Sequence, residues 1–247
     1  MTTTATRTPL RASAPCRGHA CLNLLGGFSL LVDGAARDVP EGCQRLLVYL
    51  ALRDRPQCRS VVAATLWPEK SDARASANLR SALWRLPAPD GFPLVACEGT
   101  TLQLAEHVEV DVRRAEAAGW ALVRGDESVL GQLNTSLFLG ELLPGWYDDW
   151  VIFERERLAQ LEFHFLEALS DLLLRADRIA EALDVALRLV AADPLREGSQ
   201  RALLAVYRAD RNVGQAYRHL EGYRELIRST FGCEVSPSLR AMVTSDP

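Results

Sequence analysis

The sequence predicts two folds in series: an α+β domain of short strands, three helices and a hairpin, then an all-α domain of repeated helix pairs. Three observations predict this order. Strand-like alternation and turn signals are confined to the chain before Asp111. Helical periodicity then runs almost to the C-terminus. Two segments of that helical stretch correspond at a spacing of 34 residues. The expected organisation is a disordered leader over 1–20, a first domain over 21–107 and a second over 108–247.

Each element follows from local chemistry. Cys21–Val32 alternates loosely (Leu22, Leu24, then Phe28, Leu30, Val32) around Gly26-Gly27, as strands do near a turn or bulge. Asp33-Gly34 is a hairpin signal, with Arg37–Val39 as the returning strand. Gln44–Leu52 puts Leu46, Leu47, Leu50 and Ala51 on one helical face, and Pro56 ends it. Ser60 can cap a short helix through Leu66, closed by Trp67-Pro68. A third helix runs from Asp72 to Leu86, stopped by Pro87 and Pro89. Phe92–Ala96 and Thr101–Leu104, joined through Glu98-Gly99, form a β-hairpin. Strands, three helices and a hairpin in this order match a winged helix-turn-helix.

The chain after Asp111 reads as helices over Asp111–Arg124, Trp150–Ala176, Ile179–Ala192, Leu195–Asp210 and Val213–Phe231. Glu181-Ala182-Leu183 answers Gln215-Ala216-Tyr217, and Leu189 answers Tyr223, with Asp193-Pro194 where a tetratricopeptide repeat places its proline. Gly140–Asp149 reads as a linker, and Val213–Phe231 as the uncapped edge of the stack.

Composition narrows the function classes. The leader carries Arg7, Arg11 and Arg17 without the apolar core of a signal peptide, and no run approaches a bilayer span, so a cytoplasmic, nucleoid-associated protein is expected. The six cysteines show no paired spacing, and free thiols are expected. Cys16, His19 and Cys21 fall short of the four ligands and rigid frame of a structural zinc site, so no metal is expected. Net charge is −4, but it divides: residues 1–105 hold 12 Arg and Lys against 8 Asp and Glu, a net of +4, leaving −8 for 106–247. Phosphate attraction depends on that local balance.

The third helix carries the candidate chemistry. Ala75, Leu79, Ala82, Leu83 and Leu86 make an apolar stripe for the core. Arg74, Ala77, Asn78, Ser81, Trp84 and Arg85 project from the other side, with Arg80 at the flank. Small residues at Ala77 and Ser81 let a helix seat in a groove, while Arg and Asn reach guanine and adenine edges. An ordinary solvated arginine face is the plainer reading of this helix taken alone. Trp84 and the order of elements favour recognition of double-stranded DNA. Arg59 and Ser60, before or at the cap of the second helix, can hold a phosphate at its N-terminus, although a simple cap explains Ser60 equally well.

No active site or cofactor is expected. His19, His107, His164 and His219 lack a Ser or Cys partner in a nucleophile motif, and no phosphate-cradling loop is present. Glu154, Glu156 and Glu162 lie on a charged helix and are expected to form i,i+4 pairs with neighbours such as Arg155 and Arg157.

Several of these stretches resemble one family. Leu22–Leu31, Gln44–Leu52, Thr65–Glu69 and Ala75–Leu86 resemble the Streptomyces antibiotic regulatory proteins (SARP), and Gly140–Leu158 with Asp193–Glu197 resembles that family's bacterial transcriptional activator domain. The resemblance implies an OmpR-type winged helix fused to a tetratricopeptide-like domain in an actinobacterial activator. It implies binding to promoter-proximal direct repeats, as a homodimer or by cooperative tandem binding, and recruitment of RNA polymerase holoenzyme. Onto this chain it carries Arg74, Asn78, Arg80, Ser81 and Arg85 as DNA contacts and a wing around Thr100-Thr101. Larger members add an ATPase module and sensor repeats; none is expected here, since the chain ends at Pro247. A helical-repeat adaptor without DNA affinity is the alternative, and the Arg/Asn/Ser face of the third helix is what an adaptor would not need.

Overall fold

The computed structural model describes residues 19–88, 91–131 and 140–244. Cys16 and Pro89 lie outside the described residues. The chain forms two compact units, Met1–Arg114 with Gly140–Tyr147, and Ala115–Leu139 with Asp148–Pro247. No helix among the described residues is long and apolar enough to cross a membrane.

In the first unit, strands β1 (Ala20–Asn23), β2 (Ser29–Val32) and β3 (Ala35–Ala36) form an antiparallel meander. Asp33 and Gly34 both take positive φ at its tight turn, as the Asp-Gly signal requires. The returning strand comes earlier than the expected Arg37–Val39, directly after that turn. Helices α1 (Glu41–Ala51), α2 (Arg59–Leu66) and α3 (Asp72–Arg85) follow, with β4 (Gln57–Cys58) between the first two. Strands β5 (Val95–Glu98) and β6 (Thr101–Leu104) make the hairpin, and β4 adds to β6 to give a sheet of order β4-β6-β5. Leu46, Leu47, Leu50, Leu66 and Leu102 are fully buried in this unit.

Strand β7 (Val108–Val110) pairs in parallel with β1, completing the order β3-β2-β1-β7. The first unit therefore extends past residue 107, the expected boundary, to Arg114. Helix α4 (Asp111–Val123) opens with two residues that lock this arrangement. The carboxylate of Asp111 accepts from the backbone N–H groups of Leu24 and Leu25 at 2.9 Å. Burial outweighs those hydrogen bonds and raises its pKa above the usual carboxylate value. The Arg113 guanidinium donates to the carbonyls of Leu50, Ala51 and Arg53, the open C-terminal end of α1.

The stretch expected to be a linker is packed instead. Leu142 and Leu143 are buried, the Leu143 N–H donates to Leu24 O at 2.9 Å, and Gly26 N donates to Glu141 O at 2.8 Å. Phe28 stacks on Trp146 with ring centroids 6.3 Å apart. Leu142, Leu143 and Trp146 supply apolar surface that β1 and β2 would otherwise leave open.

The second unit contains the rest of α4, a 3-10 turn (Glu127–Gly131), and helices α5 (Asp149–Arg175), α6 (Ile179–Ala192), α7 (Glu197–Ala209), α8 (Val213–Phe231) and α9 (Pro237–Thr244). The predicted repeat holds: α6 and α8 begin 34 residues apart, and the paired positions Ala182 with Ala216 and Leu189 with Tyr223 are all buried. Loop α6–α7 is tied to α8, because Tyr223 donates to Leu195 O at 3.0 Å and Gln200 joins Pro194 O to His219. The expected uncapped edge is covered. Val235, Leu239 and Val243, from α9 and the turn before it, share one core cluster with Ala216, Leu220, Tyr223 and Ile227 of α8. Ser236 caps α9, accepting from Leu239 N while donating to Glu197 at 2.6 Å. The short apolar pattern around α9 is too brief to read as a helix until α8 gives it a surface.

Glu162 also departs from expectation. Among the described residues it forms no ion pair, and burial pushes its pKa up to about 7. Glu154 pairs with Arg157 at 2.7 Å, three residues on rather than the four expected, and Glu156 accepts from Gln160 at 2.9 Å instead of pairing with an arginine among the described residues.

Candidate nucleic-acid interface

Helix α3 is seated by the small side of its stripe. Ala75, Leu79 and Ala82 are buried, while Leu83 and Leu86, expected on the same stripe, are half-buried. The Cys43 thiol of α1 donates to Ala82 O at 3.4 Å, which sets the helix against α1. Arg74, Ala77, Arg80, Ser81 and Arg85 are exposed on the opposite face, and Asn78 is half-buried at its border. Trp84 is 86% exposed, so it is not half-buried under the hairpin. Among the described residues none of Arg74, Arg80 and Arg85 forms an ion pair with a carboxylate. Three guanidiniums and an indole therefore stand in solvent on one helix, backed by a rigid apolar seat. Such a surface has donors in the fork geometry that suits phosphate and guanine.

A second group of expected residues meets at the start of α2. Arg59 and Ser60 are its first two helical residues, with Cys58 in the capping position. This moves the expected cap by two residues, from Ser60 to Cys58. The exposed Cys58 thiol lies 3.2 Å from Ser60 Oγ, and that contact lowers its pKa. Arg59 N donates to Thr100 O at 2.9 Å, and Cys58 is the register partner of Thr101, so the hairpin tip and the α2 N-terminus are one structure. Gly99 takes φ 54° at the tip of the hairpin. Thr100 is exposed; the Thr101 hydroxyl is spent on Glu98 O at 2.9 Å. Arg59 keeps its Nε buried without a hydrogen-bond partner among the described residues.

A family model described as the bacterial transcriptional activator domain matches residues 110–245. The chain belongs to this family. It is a chain of the SARP type, as the resemblance implied. Among solved structures, the SARP-type chain is similar to Mycobacterium tuberculosis EmbR, determined in complex with a low-affinity phosphopeptide. The TM-score is 0.72 at 19% sequence identity, over 91% of this chain and 64% of that one. At that identity the likeness is one of fold: winged helix-turn-helix followed by helical repeats. The chain thus spans just under two thirds of the EmbR chain. No curated protein sequence matches the SARP-type chain.

Sequence reasoning found the α3 face and missed what holds it. Asp111, Arg113 and Leu142–Leu143 fix the strands and the end of α1 in the same unit. An Asp at a strand-to-helix junction followed by Arg was the available signal for the first two.

Proposed function

We propose that this chain is a sequence-specific DNA-binding activator whose α3 reads bases in the major groove. The observation that carries the reading is the exposed Arg74, Arg80, Ser81, Trp84 and Arg85 face, free of carboxylate partners among the described residues. Asn78, at the border, is assigned to an adenine edge or an adjacent phosphate. Arg59, Ser60 and Thr100 are assigned to phosphates beside the groove, since a helix N-terminus and a hairpin tip offer N–H and hydroxyl donors, and Thr101 joins them only if its hydroxyl leaves Glu98 O. Residues 21–107 are proposed as the DNA-binding domain and 108–247 as the activator domain, with 108–114 and 140–147 packed into the first unit. The operator is a promoter-proximal direct repeat, two copies bind it cooperatively in tandem, and RNA polymerase holoenzyme is the partner of the bound protein. The reading includes no catalytic step and no cofactor, and it places the protein on the nucleoid.

The full-length chain tests this reading. A genome-wide footprint should return a repeated half-site near promoters. Against that half-site, Arg74→Ala, Asn78→Ala or Arg85→Ala should each lose about 1–3 kcal/mol at one base position. Arg59→Ala should weaken all duplexes about equally. Parent-like binding by all four variants would remove α3 as the reader and leave the helical-repeat adaptor.

A further inference from the structure

We propose that His19, Cys21 and Glu109 form a binding site for a borderline divalent metal ion of the zinc class. His19, just before β1, and Cys21 within it are two residues apart on extended chain, so they share one face, while Ala20 and Leu22 between and after them are fully buried on the other. Glu109 is the register partner of Cys21 on the parallel strand β7. The pleat thus collects an imidazole, a thiol and a carboxylate at one spot on the sheet, although Cys21 and Glu109 are 88 residues apart in sequence.

The distances suit a single ion. His19 Nε2 lies 3.2 Å from Cys21 Sγ and 3.3 Å from Glu109 Oε1, and Cys21 Sγ lies 4.0 Å from Glu109 Oε2. All three ligand atoms fall within 4.8 Å of one another. Tetrahedral zinc with N, O and S bonds of roughly 2.0–2.3 Å separates neighbouring donors by about 3.3–3.7 Å. The observed separations bracket that range, so small side-chain rotations close the site. Three protein ligands leave a fourth position for water, which the partial exposure of His19 and Glu109 allows.

The donor set chooses the ion. Magnesium and calcium require oxygen ligands, and a lone thiolate with imidazole and carboxylate fits zinc better than copper(I). The fold supplies to His19 and Cys21 what the local pattern lacked, a rigid frame, together with a ligand from another strand, Glu109. Asp111, two residues after Glu109, holds Leu24 and Leu25 at the other end of β1 and keeps the two strands in register. Arg114 Nη1, 3.5 Å from Glu109 Oε2, is the competitor an ion would displace. Bound metal would join β1 to β7 by side chains as well as by backbone, so stability of the first unit would depend on free metal.

The test uses the full-length chain and Co2+ alone as a probe, with Zn2+ in competition. The parent should bind a single cobalt ion with a thiolate-to-metal charge-transfer band and tetrahedral d–d absorption. Cys21→Ser should lose the charge-transfer band. His19→Ala and Glu109→Gln should bind at least about tenfold more weakly, no less than losing a residue that only orients a ligand commonly costs. Arg114→Ala should bind more tightly, and a variant with Cys58, Cys97 and Cys233 all changed to Ser should keep the parent spectrum. Zn2+ should raise Tm in the parent and not in Cys21→Ser, circular dichroism confirming that both are folded. Failure of the parent to bind cobalt stoichiometrically, or a parent-like band in Cys21→Ser or His19→Ala, would overturn the assignment.

Discussion

The two units use the same residue for opposite purposes. On α3, Arg74, Arg80 and Arg85 face solvent with no carboxylate partner among the described residues. In the second unit several arginines are tied down: Arg157 to Glu116 and Glu154, Arg175 to Asp171, Arg188 to Asp184, Arg196 to Glu167 and Arg201 to Glu197. Both patterns sit on amphipathic helices of ordinary composition. What separates them is whether the next turn of the same helix, or the facing helix, carries an acid. An unpaired guanidinium keeps its full field and its donors for a ligand, whereas a paired one has already satisfied them.

The sharpest way to break this contrast is to remove the α3 cations together. The Arg74→Ala/Arg80→Ala/Arg85→Ala protein should fold normally, since all three side chains are exposed. It should lose at least about 3 kcal/mol of binding to its operator, roughly a hundredfold or more, and show a flatter salt dependence. Gel-shift titrations at several salt concentrations measure both; parent-like affinity would sink the contrast.

The second unit should be governed by packing rather than by its ion pairs. A Cβ placed on Gly119 of α4 would lie 2.2 Å from the Phe165 ring, far inside contact distance, where Trp120 already meets Phe165 edge-on at 5.4 Å. Gly119→Ala should therefore cost about 1–3 kcal/mol by overpacking. Urea unfolding checks it, and an unchanged midpoint would show that the α4–α5 contact yields.

A smaller effect comes from pH. An unfolded Glu162 titrates near its ordinary 4.5, while burial moves the folded carboxyl to about 7. Across that interval the folded state holds more protons, so this residue lowers stability as pH rises through it. Glu162→Gln should consequently gain on the parent as pH rises from about 4.5 to 7, and the gain should level off above that. A Tm difference that stays flat over this range would contradict the buried carboxyl.

The smallest effect completes the comparison. Arg175→Ala, Arg188→Ala and Arg201→Ala each remove an i,i+4 surface pair, expected to contribute about 0.3–0.5 kcal/mol. The combined variant should keep parent affinity for DNA. If it bound DNA as weakly as the α3 triple variant, net charge rather than an unpaired surface would govern binding.

The sequence by itself determined what depends on near neighbours. The Asp33-Gly34 turn, the α3 stripe and the 34-residue repeat follow from turn chemistry and from periods of 2 and 3.6 residues, and they stand in the structure close to where they were read. The exposed arginines of the candidate interface were legible for the same reason: a helical period assigns faces before any partner is known. The half-burial of Asn78 was not, because it depends on how closely the neighbouring elements approach that edge. Tertiary structure alone decided whatever joins distant segments. β7 finds β1 across 88 residues, Arg113 closes the end of α1, Leu142 and Leu143 return to the first unit, and α9 covers α8. None of these segments has a strong local pattern. Each is held because it meets open backbone groups or apolar surface that only the folded chain presents, and those requirements cannot be seen one residue at a time.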